Sequence, residues 1–253
     1  MTASPALPAW DRRWALFLDV DGTLVDIESH PDEVRAGPGL RKTLARVSAA
    51  MGGAVALVSG RSIASLDRIF TPMVLPAAGL HGLERRDADG RVHYPAGFVS
   101  RMNDVRDRLA RFVESRAGLL LEDKGAALAL HFRNAPALEA EAREAMQEAA
   151  GVLGDDFHVQ QGKMVLELKP SGEDKGTAIR AFMAEPPFAG RIPVFIGDDV
   201  TDEDGFRVVN ELGGLSMRVG PPETTAARYR VGSVMGVLNQ METWAEEAAE
   251  HGN

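Results

Sequence analysis

Apolar positions follow one rhythm at the two ends of the chain and another in its middle. Three short unbroken apolar runs, Trp14 to Leu18, Ala54 to Val58 and Val194 to Ile196, each stop abruptly at a polar or glycine-rich turn. That is the pattern of strands buried on both faces of a parallel sheet. Runs at Met73 to Ala78 and Leu215 to Val219 extend the sheet. Between the first two strands, Leu40, Leu44, Val47 and Met51 recur at helical spacing, and helical patterns follow the later strands at Phe206 to Leu212 and through Val234, Val237, Leu238, Met241 and Trp244. Strand and helix in alternation predict the α/β class, with a doubly wound, Rossmann-like parallel sheet. Ligands of such sheets bind beyond the carboxyl ends of the strands, where the strand order reverses. Asp19, Ser59 and Asp198, the polar residues that follow three of the runs, are expected to converge there.

The middle of the chain reads as helix, two strands, helix, two strands. Met102, Val105, Leu109 and Phe112 mark the first helix, and Leu119 to Glu122 with the alternating Ala127 to Phe132 mark the first strand pair. Leu138, Ala142, Ala145, Ala149 and Val152 mark the second helix, followed by Phe157 to Gln160 and the alternating Met164, Leu166 and Leu168. This is a small α+β module with an antiparallel sheet. Pro95 and Gly97 precede it, and Pro170 and Gly172 follow it, so both junctions carry turn signals. The expected organisation is a core domain of residues 1–97 and 172–253 carrying an inserted cap domain of residues 98–171. One continuous α/β domain is the alternative.

Composition narrows the functions that such a fold can serve. A chain of 253 residues, 45% apolar and 26% charged, can bury a large core without metal or disulfide staples, and it has no cysteine. A formal charge of −9 argues against nucleic-acid binding, which depends on lysine and arginine neutralising phosphates. Net charge does not forbid a phosphorylated ligand, because screening acts over roughly 8 Å and a few local cations decide the potential at a site. Neither a signal-like run in Met1 to Arg13 nor a membrane-length apolar stretch is present, so a cytoplasmic, monomeric protein without membrane partners is expected.

The chemistry concentrates at strand ends. Asp19-Val20-Asp21-Gly22-Thr23-Leu24 follows the first strand directly. Two carboxylates so close repel unless a cation or shared proton relieves them. A hard divalent cation does this, and Mg2+ suits carboxylate, phosphate and water together. Gly22 lets the chain turn while its amide approaches a phosphoryl oxygen. A second acidic cluster, Asp198-Asp199-Val200-Thr201-Asp202-Glu203-Asp204, follows the strand ending at Ile196. Asp198 is the natural further metal ligand, and Asp202 binds through water or orients its neighbours. Glu203 and Asp204 are expected to complement a helix dipole near Thr201 or to stay solvated. Ser59-Gly60-Arg61, at a third strand end, offers a serine hydroxyl and glycine-flanked amides that hold phosphoryl oxygens without adding charge, although such turns are common. Lys175-Gly176 opens a helix containing Ile179 and Phe182, where ammonium and helix N-terminus both favour an anion.

In this order, Asp19-x-Asp21-Gly-Thr, Ser59, Lys175 and Gly-Asp198-Asp199-x-x-Asp202 resemble the four motifs of the haloacid-dehalogenase superfamily of phosphohydrolases. The stretch between Ser59 and Lys175 leaves room for a cap. Ala78-Gly79-Leu80-His81-Gly82, Leu121-Glu122-Asp123-Lys124-Gly125, Ala129-Leu130-His131-Phe132-Arg133, and Gln160-Gln161-Gly162-Lys163 leading to Glu167-Leu168-Lys169-Pro170 narrow the resemblance to the trehalose-6-phosphate phosphatases, from about Trp14 to Trp244. The resemblance implies hydrolysis of trehalose 6-phosphate with Mg2+ as cofactor. Asp19 is then the nucleophile, Asp21 the general acid and base, and Ser59 and Lys175 the holders of the phosphoryl group. Asp19, Asp21 (through its backbone carbonyl), Asp198 and Asp202 form the metal site. Gly22, Ser59, Gly60 and Arg61 lie against the substrate, and Glu122, Lys124 and Glu167 reach sugar hydroxyls from the cap, with Glu122 and Lys124 on one strand face by period two. His81 and Arg133 are further candidates that equally fit structural and surface roles. A phosphatase for sucrose or hexose phosphate, a related phosphomutase, and a non-catalytic sugar-phosphate sensor are the rival readings.

Overall fold

A computed structural model of the chain describes residues 7–27, 34–94, 98–125, 127–162, 164–221 and 223–251. Pro95, Gly97 and Lys163 lie outside these residues. The chain divides into two compact units, Met1–His93 with Asp174–Asn253, and Tyr94–Glu173.

The first pass through the larger unit runs β1 (Trp14–Leu18), α1 (Pro38–Ala50), β2 (Val55–Val58), α2 (Ile63–Phe70), β3 (Ala77–Gly79), β4 (Glu84–Arg86) and β5 (Val92–His93). The smaller unit follows with α3 (Phe98–Glu114), β6 (Leu120–Asp123), β7 (Leu128–His131), α4 (Glu139–Leu153), β8 (Phe157–Gly162) and β9 (Val165–Pro170). The chain then completes the larger unit with α5 (Lys175–Met183), β10 (Ile192–Gly197), α6 (Glu203–Glu211), β11 (Leu215–Val219), β12 (Tyr229–Val231) and α7 (Val234–His251). Among the described residues no helix is long and apolar enough to cross a membrane.

The larger unit is an eight-stranded sheet in the order β12-β11-β10-β1-β2-β3-β4-β5, parallel from β12 to β3 and antiparallel beyond. After β1 the chain first builds outward through β2 and β3, then returns to build outward from β10 on the other side. The strand order therefore reverses between β1 and β10, and the residues that follow these strands, Asp19 and Asp198, are brought side by side. Every residue of β1 is buried, because helices cover both faces of the sheet. Trp14 meets Trp244 of α7 edge to face at 5.1 Å, while Phe17, on the opposite face, stacks on Phe188 at 5.5 Å and lies 5.9 Å from Phe182 of α5. Helix α1 packs beside α7, and α5 beside α6.

Three differences from the sequence pattern have local causes. The Met73 to Ala78 run contracts to Ala77–Gly79, since Pro76 has no N–H for a ladder and Val74 is 65% exposed. Helix α2 was not anticipated, although Ile63, Leu66, Ile69 and Phe70 form a buried stripe and Ser62 caps its start by accepting the Ser65 N–H at 3.2 Å. The β4–β5 hairpin carries Glu84, Arg85 and Arg86, a charged triplet without strand patterning.

In the smaller unit a four-stranded antiparallel sheet, ordered β6-β7-β9-β8, is covered on one face by α3 and α4. Leu128, Leu130, Leu166 and Leu168 are buried against Met102, Val105, Leu109, Ala142 and Met146. The other face carries a row set by register, with Glu122 opposite Ala129, Ala129 opposite Glu167, and Glu167 opposite Gln160. Since β6 ends at Asp123, Lys124 sits one residue past the strand rather than on its face with Glu122.

The Phe17 contacts make a direct test of the core. Phe17→Ala removes a fully buried ring from a closed aromatic cluster, and a loss of about 3–5 kcal/mol is expected by chemical denaturation. A loss below about 1 kcal/mol would show that the site collapses around the cavity.

Candidate active site

Each charged group at the sheet's carboxyl edge is placed by backbone that the sequence specifies locally. Asp19 follows β1 directly, and its N–H donates to the Ile196 carbonyl of β10 at 2.9 Å. The chain then folds back in a tight loop in which the Gly22 N–H donates to the Val25 carbonyl at 2.8 Å. Gly22 holds φ +75°, and a Cβ there would collide with the Asp198 carboxylate, so any other residue displaces that side chain.

Lys175 opens α5, whose start is fixed by a capping box. The Asp174 carboxylate accepts the Thr177 N–H at 2.7 Å, and the Thr177 hydroxyl accepts the Asp174 N–H at 3.0 Å. The lysine ammonium then points into the core, 2.9 Å from Asp19 Oδ1 and 2.7 Å from Asp202 Oδ1. All three side chains are almost wholly buried. Asp202 Oδ2 accepts the N–H groups of Asp198 and Asp199, each at 2.9 Å. Asp202 thus has both oxygens engaged, and it shapes the turn that presents Asp198. Thr23 donates to Asp198 Oδ1 at a long 3.4 Å.

On the other side of β1, Ser59 follows β2 and accepts the Arg61 N–H on its hydroxyl at 3.2 Å. The Arg61 guanidinium forks onto Asp21, with both N···O distances 2.6 Å. Behind this turn, Leu80 and His81 both take left-handed backbone, at φ 51° and 58°, a strain of roughly 1–2 kcal/mol each. Their N–H groups donate to the Arg61 and Ser59 carbonyls, both at 3.0 Å. Gly60 lies so near the His81 ring that a Cβ would come within 2.6 Å of it. His81 is therefore tied to the Ser59–Arg61 turn by backbone and by contact.

Burial raises the Asp19 carboxyl well above the usual aspartate range, the Asp202 charge adds to this, and Lys175 opposes it. Asp198 is raised too, first by burial and then by Asp202. Burial disfavours the Lys175 ammonium, but the Asp19 and Asp202 carboxylates outweigh it and hold the lysine above its ordinary value. One oxygen each from Asp19, Asp198 and Asp202 lie within 4.8 Å of one another. Three carboxylates against one ammonium leave a net negative, oxygen-only nest, which suits a hard divalent cation. Because Asp202 is already committed to Lys175 and two amides, Asp19 and Asp198 are the carboxylates with room for the ion.

A cavity of about 560 Å³ opens here, lined by Asp19, Asp21, Ser59, Arg61, His81, Lys175 and Asp198 among others. The candidates that the sequence spreads over the larger unit are thus gathered at one opening, except that Gly22 and the fully buried Asp202 do not line it. The remaining candidates belong to the smaller unit. There Lys124 Nζ lies 2.8 Å from Glu167 Oε1, Glu122 Oε2 lies 2.9 Å from His131 Nε2, and Arg133 is exposed just past β7.

Two acids have unforeseen roles. Glu203 is neither a simple dipole complement nor solvated: it accepts the Thr225 hydroxyl at 2.6 Å and the Ala226 N–H at 2.8 Å, and pairs with buried Arg218 at 3.2 Å. It anchors the start of α6, one residue after Asp202, to the loop before β12. Glu84 is buried and accepts the Ile63 N–H at the start of α2, and burial raises its pKa. No periodicity distinguishes either residue, since both act on backbone distant in sequence.

A buried aspartate at the β1 terminus, salt-bridged to a lysine from a later helix and faced by acids after β10, in a Rossmann-like sheet with an inserted α+β unit, defines a phosphohydrolase of the haloacid-dehalogenase class. The trehalose-phosphatase family model matches residues 17–234, and the chain belongs to that family. It is 42% identical to the trehalose-6-phosphate phosphatase of Escherichia coli strain K12 over 96% of this chain and 89% of that protein. It is 50% identical to a probable trehalose-phosphate phosphatase of Sinorhizobium fredii, over 83% and 78% of the two chains. The crystal structure of a trehalose-6-phosphate phosphatase related protein superposes with a TM-score of 0.72 at 28% identity, covering 93% of this chain and 99% of that one.

Lys175→Met leaves two buried carboxylates without their counter-charge. A destabilisation of about 3–5 kcal/mol is expected in denaturant unfolding, together with loss of phosphatase activity by at least ~100-fold. Wild-type stability in this variant would mean that the ion pairs are not what holds these elements together.

Proposed function

We propose that this enzyme hydrolyses trehalose 6-phosphate to trehalose and inorganic phosphate through a phosphoryl group carried transiently on Asp19. The observation that carries the reading is the buried Asp19–Lys175–Asp202 array, with Asp198 beside it and Asp21 two residues on, at the reversal point of the sheet. Binding alone requires neither a buried nucleophile nor a second carboxyl placed to move protons, which disfavours a sensor.

In the first step an Asp19 carboxylate oxygen attacks phosphorus, the bond from phosphorus to the sugar oxygen breaks, and Asp21 delivers a proton to that oxygen. In the second step water attacks phosphorus, Asp21 takes its proton, and the Asp19 carboxylate leaves with release of phosphate. Lys175 opposes the rise that burial gives the Asp19 carboxyl and, with Ser59, steadies the phosphoryl oxygens. Arg61, now forked onto Asp21, meets an arriving phosphate dianion as a competing partner, so substrate binding itself frees Asp21 for proton transfer. Gly60 keeps the Ser59–Arg61 backbone close to the phosphate, whereas the Gly22 N–H, expected from the sequence to approach a phosphoryl oxygen, is spent on the Val25 carbonyl and Gly22 instead leaves room for the Asp198 carboxylate; His81 braces the turn that carries Ser59 and Arg61.

The Asp19 and Asp198 carboxylates and the Asp21 backbone carbonyl, with Asp202 orienting them, would hold Mg2+, which would supply charge neutralisation for the phosphoryl oxygens. Sugar selection rests with the smaller unit, where Glu122, Lys124 and Glu167 offer paired acceptors and donors to hydroxyls. Arg133 lies near the end of the same strand system.

A panel of trehalose, sucrose and hexose phosphates, assayed for phosphate release with Mg2+ and with excess chelator, tests this. Trehalose 6-phosphate is expected to give a kcat/KM at least ~100-fold above the others, and chelation to abolish release. Comparable rates across the panel would replace this substrate with a broader sugar-phosphate specificity. Undiminished activity in chelator would remove the metal.

A further inference from the structure

Within the smaller unit, the position of Lys124 needs an explanation that the sheet does not supply. Lys124 lies beyond the end of β6, so no ladder hydrogen bond of a named strand fixes it. Its own N–H donates to the Ala127 carbonyl at 3.0 Å, closing a turn toward β7. A lysine stem carries about 2 kcal/mol of rotamer entropy, so a loosely held turn would leave its ammonium spread over many positions. Yet the ammonium sits 2.8 Å from Glu167 across the sheet.

The turn is gripped from outside by Arg106 of α3. This side chain flanks the helix face that buries Met102, Val105 and Leu109, and only 23% of it is exposed. Its Nε lies 2.6 Å from Asp123 Oδ2, with the N–H aimed off that line, so the contact is an ion pair rather than an aligned hydrogen bond. Its Nη2 donates to the Gly125 carbonyl at 3.1 Å and to Asp123 Oδ1 at 3.3 Å, and its Nη1 donates to Asn103 Oδ1 at 2.6 Å. Asp123 Oδ1 in turn accepts the Gly125 N–H at 2.8 Å. Arg106 and Asp123 together hold the residues on both sides of Lys124, and hold them to a helix rooted in the core of this unit.

An isolated surface ion pair contributes little to stability, and Arg106 is not distinguished by energy. What distinguishes it is that all but one of its contacts converge on the two residues flanking one functional lysine, with the planar fork that only arginine provides. We propose that Arg106 is a positioning residue for sugar recognition: by clamping Asp123 and Gly125 it fixes the backbone of Lys124, and thereby the Lys124–Glu167 pair that meets the substrate. This rests on the reading that the open face of this sheet takes the sugar.

The test uses the full chain in four variants, Arg106→Gln, Arg106→Lys, Asp123→Asn and Glu167→Ala. Each is assayed with Mg2+ on trehalose 6-phosphate and on p-nitrophenyl phosphate, which has no sugar to recognise. Arg106→Gln and Asp123→Asn are expected to raise KM for the sugar phosphate roughly tenfold with kcat within about twofold, and to leave p-nitrophenyl phosphate turnover unchanged. Arg106→Lys keeps the charge but loses the fork, and is expected to behave like Arg106→Gln. Amide hydrogen exchange of the 123–125 turn should quicken in the same variants. If Glu167→Ala raises KM while Arg106→Gln and Asp123→Asn do not, the positioning role is overturned and the sugar site stands. If Glu167→Ala itself changes nothing, the sugar site fails and the inference falls with it. An equal loss on both substrates would assign Arg106 a general structural role and overturn the proposal.

Discussion

A single lysine ammonium, buried between Asp19 and Asp202, is the contact on which the rest of the site depends. At an effective dielectric near 20, like charges about 4 Å apart cost about 4 kcal/mol, so three acids gathered at one strand edge would push each other out or take up protons. Lys175 reverses part of that balance for the two acids it touches. Asp202 then uses its second oxygen to fold the Asp198–Asp199 turn, so the same ion pair sets the direction of Asp198. The residual negative charge beside Asp19 and Asp198 is what would draw a divalent cation, whose charge would also offset that of an incoming phosphate.

The fold brings these groups together because the chain reverses its direction of sheet growth between β1 and β10. Neither strand carries polar side chains into the core. The chemistry begins just past the buried runs, where Asp19 and Ser59 still donate their N–H groups to the neighbouring strand while polar side chains replace apolar ones. Supports arrive from farther off: Glu203 ties α6 to the loop before β12, and Glu84 ties α2 to β4. Asp19, Asp198 and the Ser59–Arg61 turn therefore follow different strands, the first two sharing the Lys175–Asp202 network and the third backed by His81 and by Glu84 at the start of α2.

Much of this was legible in the sequence because buried parallel strands announce themselves as apolar runs that end sharply. The limits of β1 and β11, and the convergence of Asp19, Ser59 and Asp198, follow from that pattern alone. Helix α2 went unread despite its buried stripe of Ile63, Leu66, Ile69 and Phe70, because it is only eight residues long and lies among turn signals. Glu203 and Glu84 were not legible, because their partners are backbone groups and hydroxyls far along the chain. Lys124 shows the limit of period-two reasoning: parity put it on a strand face, but the strand stops at Asp123 and a helix-borne arginine takes over. The pairing of Arg61 with Asp21 likewise joins two candidates whose contact no spacing rule predicts.

The central claim is that phosphoryl transfer passes through Asp19, and the stereochemistry of the reaction at phosphorus tests it most directly. Hydrolysis of a trehalose 6-phosphorothioate made chiral at phosphorus with two oxygen isotopes, run in water carrying the third, should yield thiophosphate with retained configuration, the result of two successive in-line displacements. Inversion would mean that water attacks the substrate directly, and would contradict the assignment of Asp19 as nucleophile.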